Sequence, residues 1–236
     1  MIQDLAGQPR AQRLLQGALA HLSHAYLFVD PDQVGKRLAS RLFAAAINCL
    51  DAEHPGCGHC RECRAVMEDV HPDVRFWELG EGEKTFKVER VRELIHAVAW
   101  HPYQGRRKVH VLTCLDAVNP AGANALLKTL EEPPSATTLI LIARDLDAVL
   151  PTLVSRCQVV PFGLTPVEAI ADHLQLRLGL SPEAAREVAF RSQGRMGAAI
   201  ALTAGPLPAV SGARFPEPGE AMSWADNMAG MPEPEQ

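Results

Sequence analysis

Apolar residues follow two alternating patterns along most of the chain. Short runs rich in apolar, strand-forming residues occupy 25–29, 74–79, 109–115, 137–143 and 158–162. Between them, apolar residues recur every three or four positions, as in a helix with one buried face, over 10–20, 36–48, 88–100, 120–132 and 146–156. Apolar strands that alternate with helices predict an α/β fold with a parallel sheet.

The pattern changes after residue 162. Thr165 and Glu168 have the spacing of a capping box, and Ser181 precedes a proline that suits a first helical turn. The helical pattern then covers 166–178, 182–192 and 197–204. We therefore expect an α/β core at 1–162, a small all-α domain at 163–204 and a Pro/Gly-rich tail or linker at 205–236.

Composition narrows the class of protein. The chain has 236 residues, of which 47% are hydrophobic and 22% charged, and its formal net charge is −5. These values are typical of a soluble globular protein and argue against a generally basic nucleic-acid coat. The first residues lack the apolar segment of a signal peptide, and no apolar run is long enough to span a bilayer. We expect a cytoplasmic protein with no membrane partner.

Four of the six cysteines lie within one short segment. In a cytosolic chain such a cluster indicates a metal site rather than a disulfide framework. The spacing suits a tetrahedral Zn²⁺ ion with no open position, hence a structural role, and the predicted ligands are Cys49, Cys57, Cys60 and Cys63. Gly56 and Gly58 permit the sharp turn between the ligands. An iron–sulfur cluster uses the same ligands and is the alternative.

The segment 30–37 has the position of a phosphate-binding loop, between a predicted strand and a predicted helix. Gly35 and Lys36 match the consensus of such loops. Asp30 replaces the first glycine and puts a carboxylate where phosphate oxygens need donors. Arg37 replaces the hydroxyl residue that would hold Mg²⁺, and a guanidinium cannot ligate a cation. We interpret the loop as a retained strand–turn–helix corner that binds no ATP.

The third predicted strand leads to the same interpretation. An ATPase of this architecture ends that strand with acidic residues that bind Mg²⁺ and orient water. Here Thr113 and Cys114 stand at the strand end, and the nearest acid, Asp116, follows too late. Because two separate parts of one hydrolytic site are missing, we expect that ATP hydrolysis has been lost.

Several segments occur in an order that points to a known family. They are HAYLF at 24–28, the four-cysteine cluster, HPDV at 71–74, ANALLKTLEEPP at 123–134 and SRC at 155–157. Together they resemble the clamp-loader branch of the AAA+ proteins, and the resemblance extends from residue 1 to about 204. It implies a nucleotide-binding-type α/β domain with an inserted zinc module (49–63), a small helical lid, and a C-terminal collar that we expect to be absent here.

The resemblance also implies a role. Clamp loaders place a sliding clamp on primed DNA and combine ATPase subunits with a non-hydrolysing stator. The degenerate loop matches a stator, so we expect a chain that is not an enzyme by itself but a component of a DNA-directed DNA polymerase holoenzyme. Its expected partners are the ATPase (gamma/tau) subunits and the delta subunit, and indirectly the sliding clamp and primed DNA. An active ATPase subunit of the same complex is the alternative.

One catalytic element of the family is retained. Ser155, Arg156 and Cys157 match its arginine-finger motif, in which the guanidinium reaches the γ-phosphate of ATP held by a neighbouring subunit. A local ion pair is the alternative role for this arginine. The basic loop at 106–108 is interpreted as a solvated edge or subunit contact. Glu131–Glu132 stays open between a solvated face and a surface for an adjacent subunit.

Overall fold

A five-stranded parallel sheet lies at the centre of the part of the chain that the structure describes. The computed structural model of the chain describes residues 2–204. Within them the strands are Ala25–Val29 (β1), Val74–Trp77 (β2), Lys108–Leu112 (β3), Thr137–Ile142 (β4) and Gln158–Pro161 (β5). They pair in the order β2–β3–β4–β1–β5, with Tyr26 in register with Ile140 on one side and Gln158 on the other. The predicted parallel α/β fold is confirmed.

Helices connect the strands and continue after the last one. They are Pro9–Ala18 (α1), Lys36–Ile47 (α2), Arg61–Met67 (α3), Val88–Val98 (α4), Pro120–Glu131 (α5), Pro151–Val154 (α6), Val167–Leu178 (α7), Pro182–Arg191 (α8) and Met196–Thr203 (α9). Short 3₁₀ turns lie at Ile2–Asp4 and Leu115–Ala117. The start of α5 is capped as its sequence suggests, since the Asn119 side chain accepts a hydrogen bond from the N–H of Gly122 at 2.8 Å.

Side chains that alternate along β1 enter two apolar layers. Tyr26 and Phe28 are buried on the face covered by α1 and α2, and Tyr26 packs edge-to-face on Phe43 with ring centroids 4.9 Å apart. Leu27 is buried on the other face, which α4 and α5 cover. Burial of both faces explains why β1 is apolar throughout.

The last three helices surround a separate apolar cluster, whose buried members are Ile170, Ala171, Leu174, Ala185, Val188, Ala189, Met196 and Ala199. Ser181 caps α8 through the N–H of Ala184, as predicted. The capping box at Thr165 was wrong. Thr165 is buried, its N–H donates to the carbonyl of Gly194 at 2.8 Å, and α7 begins after Pro166 without a side-chain cap.

Two helical boundaries also differ from expectation. The helix predicted at 146–156 is reduced to α6, because Leu150 precedes a proline and is extended, with ψ of 128°. The second half of the cysteine segment was expected to be a turn and instead enters α3. Cys60 caps that helix, since its sulfur accepts the N–H of Cys63.

The Pro/Gly-rich tail predicted at 205–236 lies outside the described residues. Within 2–204, no helix has both the length and the apolar content that crossing a bilayer requires.

Candidate nucleotide loop, cysteine centre and exposed arginine

The loop between β1 and α2 folds around the side chain of Lys36. Its Nζ donates hydrogen bonds to three main-chain carbonyl oxygens, those of Asp30, of Pro31 at 3.0 Å and of Ala143 at 2.8 Å. Lys36 is only 5% exposed, and this burial lowers the pKa of its ammonium because the charged form loses hydration. An ammonium carries three N–H donors, so all of them have acceptors inside the protein.

Backbone angles show that the loop keeps an unusual shape. Gly35 has φ of 102°, and Asp30 and Gln33 have φ of 81° and 63°. A side chain in this left-handed region costs about 1–2 kcal/mol, which glycine avoids. The loop therefore has positive φ at two positions that do not carry glycine.

Acidic side chains around the loop are paired with Arg144, the second residue after β4. Its Nε lies 3.0 Å from Oδ2 of Asp32 and 3.5 Å from Oδ2 of Asp116, and its backbone N–H donates to Oδ1 of Asp116 at 3.3 Å. Arg37 pairs with Glu78 at 2.6 Å. The acid closest to the end of β3 is thus engaged by a guanidinium.

The helical region closes over the loop. The N–H of Gly197, at the start of α9, donates to the carbonyl of Gln33 at 2.6 Å, and a Cβ on Gly197 would lie 2.8 Å from that oxygen. A small cavity of about 260 Å³ remains, lined by Asp32, Gln33, Gly35, Lys36, Arg37, Ile142 and Gly197. Its volume is below the range of about 300–1,000 Å³ that is usual for small-molecule sites.

The four predicted metal ligands lie together. Their sulfur atoms are all within 4.8 Å of one another, and Sγ of Cys49 is 3.9 Å from Sγ of Cys60. A tetrahedral ion with Zn–S bonds of about 2.3 Å places its sulfurs about 3.8 Å apart. Gly56 and Gly58 lie between the ligands with φ of 81° and 83°. All four cysteines are free thiols, and their arrangement fits a single metal ion.

Backbone N–H groups point at these sulfurs. Those of Cys57, Cys60 and Cys63 each lie 3.4–3.5 Å from the sulfur of the preceding cysteine in the cluster. Burial raises the pKa of Cys60, but hydrogen bonds from the N–H groups of Leu50 and Cys63 and from neighbouring thiols outweigh it and lower that pKa to about 6. Burial raises the pKa of Cys63. At Cys60 the donors thus favour the thiolate, the form that binds a metal.

A buried polar network connects this centre to the loop at 101–107, and the sequence analysis missed it. Oε2 of Glu62, next to the ligand Cys63, accepts hydrogen bonds from Nε2 of His71 at 2.8 Å and Nε2 of Gln104 at 3.1 Å. Nδ1 of His71 accepts the N–H of Asp73 at 3.0 Å, which leaves the ring proton on Nε2. The HPDV segment was noticed only as a family signature, although it supplies both His71 and Asp73.

Asp73 holds that loop directly. Its carboxylate accepts the N–H groups of residues 103, 104 and 105 at 2.6, 2.8 and 2.8 Å. Burial alone would raise the pKa of this carboxyl, but the three donors lower it below its usual value. The following basic residues also serve the fold, since Arg107 donates to the carbonyl of Thr137 at 2.6 Å and Lys108 to that of Ala97 at 3.4 Å. Arg106 is exposed.

Arg156 lies just after α6 and reaches the surface. Its Nη2 is 2.6 Å from Oε1 of Glu131, while its Nη1 donates to the carbonyl of Thr152 at 2.8 Å and to Oγ of Ser155 at 3.3 Å. The side chain keeps 34% of its surface exposed. Burial raises the pKa of the adjacent Cys157 thiol to about 12, so this cysteine is an unreactive part of the core. The local ion pair considered from sequence is thus present, and the guanidinium still faces solvent.

A family model described as DNA polymerase III, delta subunit, matches residues 7–165, more than half of the chain. Proteins named DNA polymerase III subunit delta' are 40% identical over 142 residues in Pseudomonas aeruginosa and 32% identical over 184 residues in Bacillus subtilis. The chain belongs to the delta-prime family of DNA polymerase III subunits. These matches cover 60% and 77% of this chain but 43% and 55% of the two relatives, so the chain spans about half their length.

The chain is also similar to tau/gamma subunits of DNA polymerase III. The DNA polymerase III subunit tau/gamma of Haemophilus influenzae is 32% identical over 208 residues, which is 85% of this chain and 30% of that protein. A solved structure of a RuvB variant from Thermotoga maritima has a TM-score of 0.60 at 16% identity and covers 86% of this chain and 62% of its own. That likeness shows a shared fold. The chain therefore shares with that structure the parallel α/β fold, followed by helices, that its sequence predicts.

Proposed function

We propose that this chain acts in DNA replication as the stator of a clamp loader, and that it binds no ATP of its own but completes the ATP site of a neighbouring subunit. Its partners in this proposal are the gamma/tau ATPase subunits and the delta subunit, which together place the sliding clamp on primed DNA. The chain is then a cytoplasmic component of the DNA polymerase III holoenzyme without independent enzymatic activity. The proposal keeps the division into an α/β core (1–162) and a helical lid (163–204).

The single observation that carries the proposal is the environment of Lys36. In a working loop of this kind, the lysine reaches the β- and γ-phosphates of the nucleotide. Here its three donors are taken by carbonyl oxygens of the protein, two of them from the loop itself. Phosphate oxygens and these carbonyl oxygens compete for the same donors, and Asp32 adds a like charge nearby. A bound triphosphate would have to displace a complete internal set of hydrogen bonds.

The contribution to a neighbour rests on Arg156. A guanidinium is always charged and carries five N–H donors in a planar fork, which suits it to a phosphate. Arg156 is exposed enough to be reached from outside the chain, whereas Lys36 is not. This contrast favours a subunit that acts on another subunit's nucleotide.

The cysteine centre is proposed to hold one structural Zn²⁺ ion. Four sulfur ligands leave no open position for water or substrate, so the ion would take no part in chemistry. Its contribution is to the fold, because it would fix the start of α3 and, through Glu62, the loop at 101–107.

The test is a reconstitution of the clamp loader from its ATPase subunits, delta subunit, sliding clamp and primed DNA. Arg156→Ala is compared with the exposed-arginine control Arg191→Ala, and clamp-stimulated ATP turnover is measured. Transition-state arginines are worth about 10³–10⁵ in rate in other nucleotide hydrolases, so even partial use of Arg156 gives a clear loss. A rate unchanged by Arg156→Ala, with the complex intact, would remove the proposal.

An active ATPase subunit is the second candidate, and the tau/gamma similarity over 85% of this chain is the observation that favours it. Equilibrium binding of a fluorescent ATP analogue to the isolated chain separates the two. The stator predicts no saturable Mg²⁺-dependent binding, whereas tight binding that Lys36→Met abolishes would establish the ATPase.

A further inference from the structure

The two most specific sequence segments meet in one contact. Glu131 is the last residue of α5, in the ANALLKTLEEPP segment, and Arg156 belongs to SRC. Their side chains are joined by the 2.6 Å hydrogen bond between Nη2 of Arg156 and Oε1 of Glu131. The contact links parts of the chain that are 25 residues apart, so it is a product of the fold and not of local sequence.

We propose that Glu131 is a positioning residue for Arg156, which holds the guanidinium at the surface in the orientation required by a phosphate in the neighbouring subunit. The inference rests on the proposed function, because it gives Glu131 a role only through the arginine finger. Glu131 itself contacts no phosphate in this proposal.

Both ends of the contact are anchored in the same core. On α5, Leu126 and Leu130 are buried in the apolar layer beneath the helix. On the other side, Leu153 is buried in that layer and Cys157 packs against it. The backbones that carry Glu131 and Arg156 are thereby fixed by the core, and the ion pair acts together with the two hydrogen bonds of Nη1 to set where the long arginine side chain lies.

The hydrogen bonds leave the guanidinium able to bind an anion. Of its five N–H donors, two on Nη1 face the Thr152 carbonyl and the Ser155 hydroxyl, and one on Nη2 faces Glu131. Among the residues 2–204, no acceptor is found for the remaining Nη2 hydrogen or for Nε–H. A bidentate contact between an arginine and a phosphate uses two N–H donors, which is the number that Arg156 still has available.

Glu132 provides a matched control. It carries the same charge, is also exposed, and follows Glu131 directly, but its side chain has no hydrogen bond or ion pair within the described part of the chain. Glu131→Gln and Glu132→Gln therefore change net charge equally, and only the first alters the contact with Arg156.

The experiment is a double-mutant cycle in the reconstituted clamp loader. ATP turnover, resolved into kcat and KM, is measured for the wild type, Glu131→Gln, Glu132→Gln, Arg156→Ala and the double variant Glu131→Gln/Arg156→Ala. The pair is partly exposed, so we expect Glu131→Gln to lower kcat by about two- to fivefold with KM for ATP unchanged. We expect Glu132→Gln to have no effect, and Glu131→Gln to have none in the Arg156→Ala background.

The outcomes separate this inference from the function on which it rests. If Arg156→Ala lowers kcat but Glu131→Gln leaves it unchanged or raises it, Glu131 does not position the finger, although the finger stands. The same conclusion applies if Glu131→Gln lowers kcat equally with and without Arg156. If Arg156→Ala has no effect, the proposed function fails and the role of Glu131 fails with it. Thermal unfolding of each isolated variant close to that of the wild type excludes misfolding as the cause.

Discussion

Replacement of Lys36 by methionine tests whether this residue is kept for folding or for nucleotide binding. The variant retains much of the apolar stem but removes the ammonium, and it leaves the carbonyls of Asp30, Pro31 and Ala143 without their donor. If Lys36 serves the fold, the isolated chain must become less stable in the absence of any nucleotide.

The structure sets the size of the effect. A hydrogen bond from a charged donor contributes about 1.5–3 kcal/mol, and three such bonds are lost. Part of this loss is offset, because the variant no longer buries a charge whose lost hydration lowers the pKa of Lys36. We expect a net decrease of about 2–4 kcal/mol in the free energy of unfolding, which for a chain of this size corresponds to a fall of about 4–16 °C in Tm.

Urea and thermal unfolding of the isolated chain, followed by circular dichroism, measure this change. Arg37→Met is the matched control. It removes the neighbouring cation, whose side chain is 54% exposed, pairs with Glu78 and lies over the Phe76 ring, so it should cost less than about 1 kcal/mol. Equal stabilities of wild type and Lys36→Met would refute the structural role. ATP turnover of the complex that contains Lys36→Met, measured under conditions in which the variant is folded, should equal that of the wild type.

Two further predictions concern the cysteine centre and the buried histidine of β3. Metal analysis should find one equivalent of zinc in the wild type and in Cys114→Ser, and much less in Cys49→Ser; iron, or no metal in the wild type, would contradict the assignment. Burial, together with the nearby charges of Lys108 and Arg75, lowers the pKa of His110 to about 4 in the folded chain. In the unfolded chain this histidine has its ordinary pKa of about 6.5, so as the pH falls the unfolded chain takes up a proton before the folded chain does. The free energy of unfolding should therefore decrease by about 2–3 kcal/mol between pH 7 and 4.5 in the wild type. The decrease should be smaller in His110→Gln, and an equal decrease in both proteins would show that His110 is not its cause.

Local patterns predicted the central strands well because β1 and β4 are buried on both faces. AYLFV coincides with β1 residue for residue, since every one of its side chains enters one of the two apolar layers. The prediction of a helix over 146–156 was wrong for a reason that is also local, because the proline at 151 restricts the backbone of Leu150 to a non-helical conformation. The prediction of a capping box at Thr165 was wrong for a non-local reason. The N–H of Thr165 donates a hydrogen bond to the carbonyl of Gly194, which lies between two later helices.

In the candidate sites too, the features that depend on local sequence could be predicted and those that depend on the fold could not. The clustering of the four cysteines could be predicted because they lie close together in the sequence at a spacing that suits one metal ion. The acceptors of Lys36 could not, because Ala143 lies 107 residues away and reaches the ammonium only after β1 and β4 have paired. The partner of Arg156 was equally hidden, since Glu131 and Glu132 are indistinguishable in sequence and only the packing of α5 selects one of them.

Retention of a glycine and a lysine is therefore weak support for a nucleotide site. An ammonium that loses its phosphate partner must find other acceptors or be expelled to solvent, because an unpaired charge is costly when buried. In this chain the loop supplies two of those acceptors and the end of β4 the third, so Lys36 ties the loop to the sheet. Selection for stability alone would preserve such a lysine after ATP binding had gone. No comparable folding requirement applies to the half-buried Arg156, whose ion pair at the surface contributes little to stability, so its match to the arginine-finger motif is the stronger sign of function.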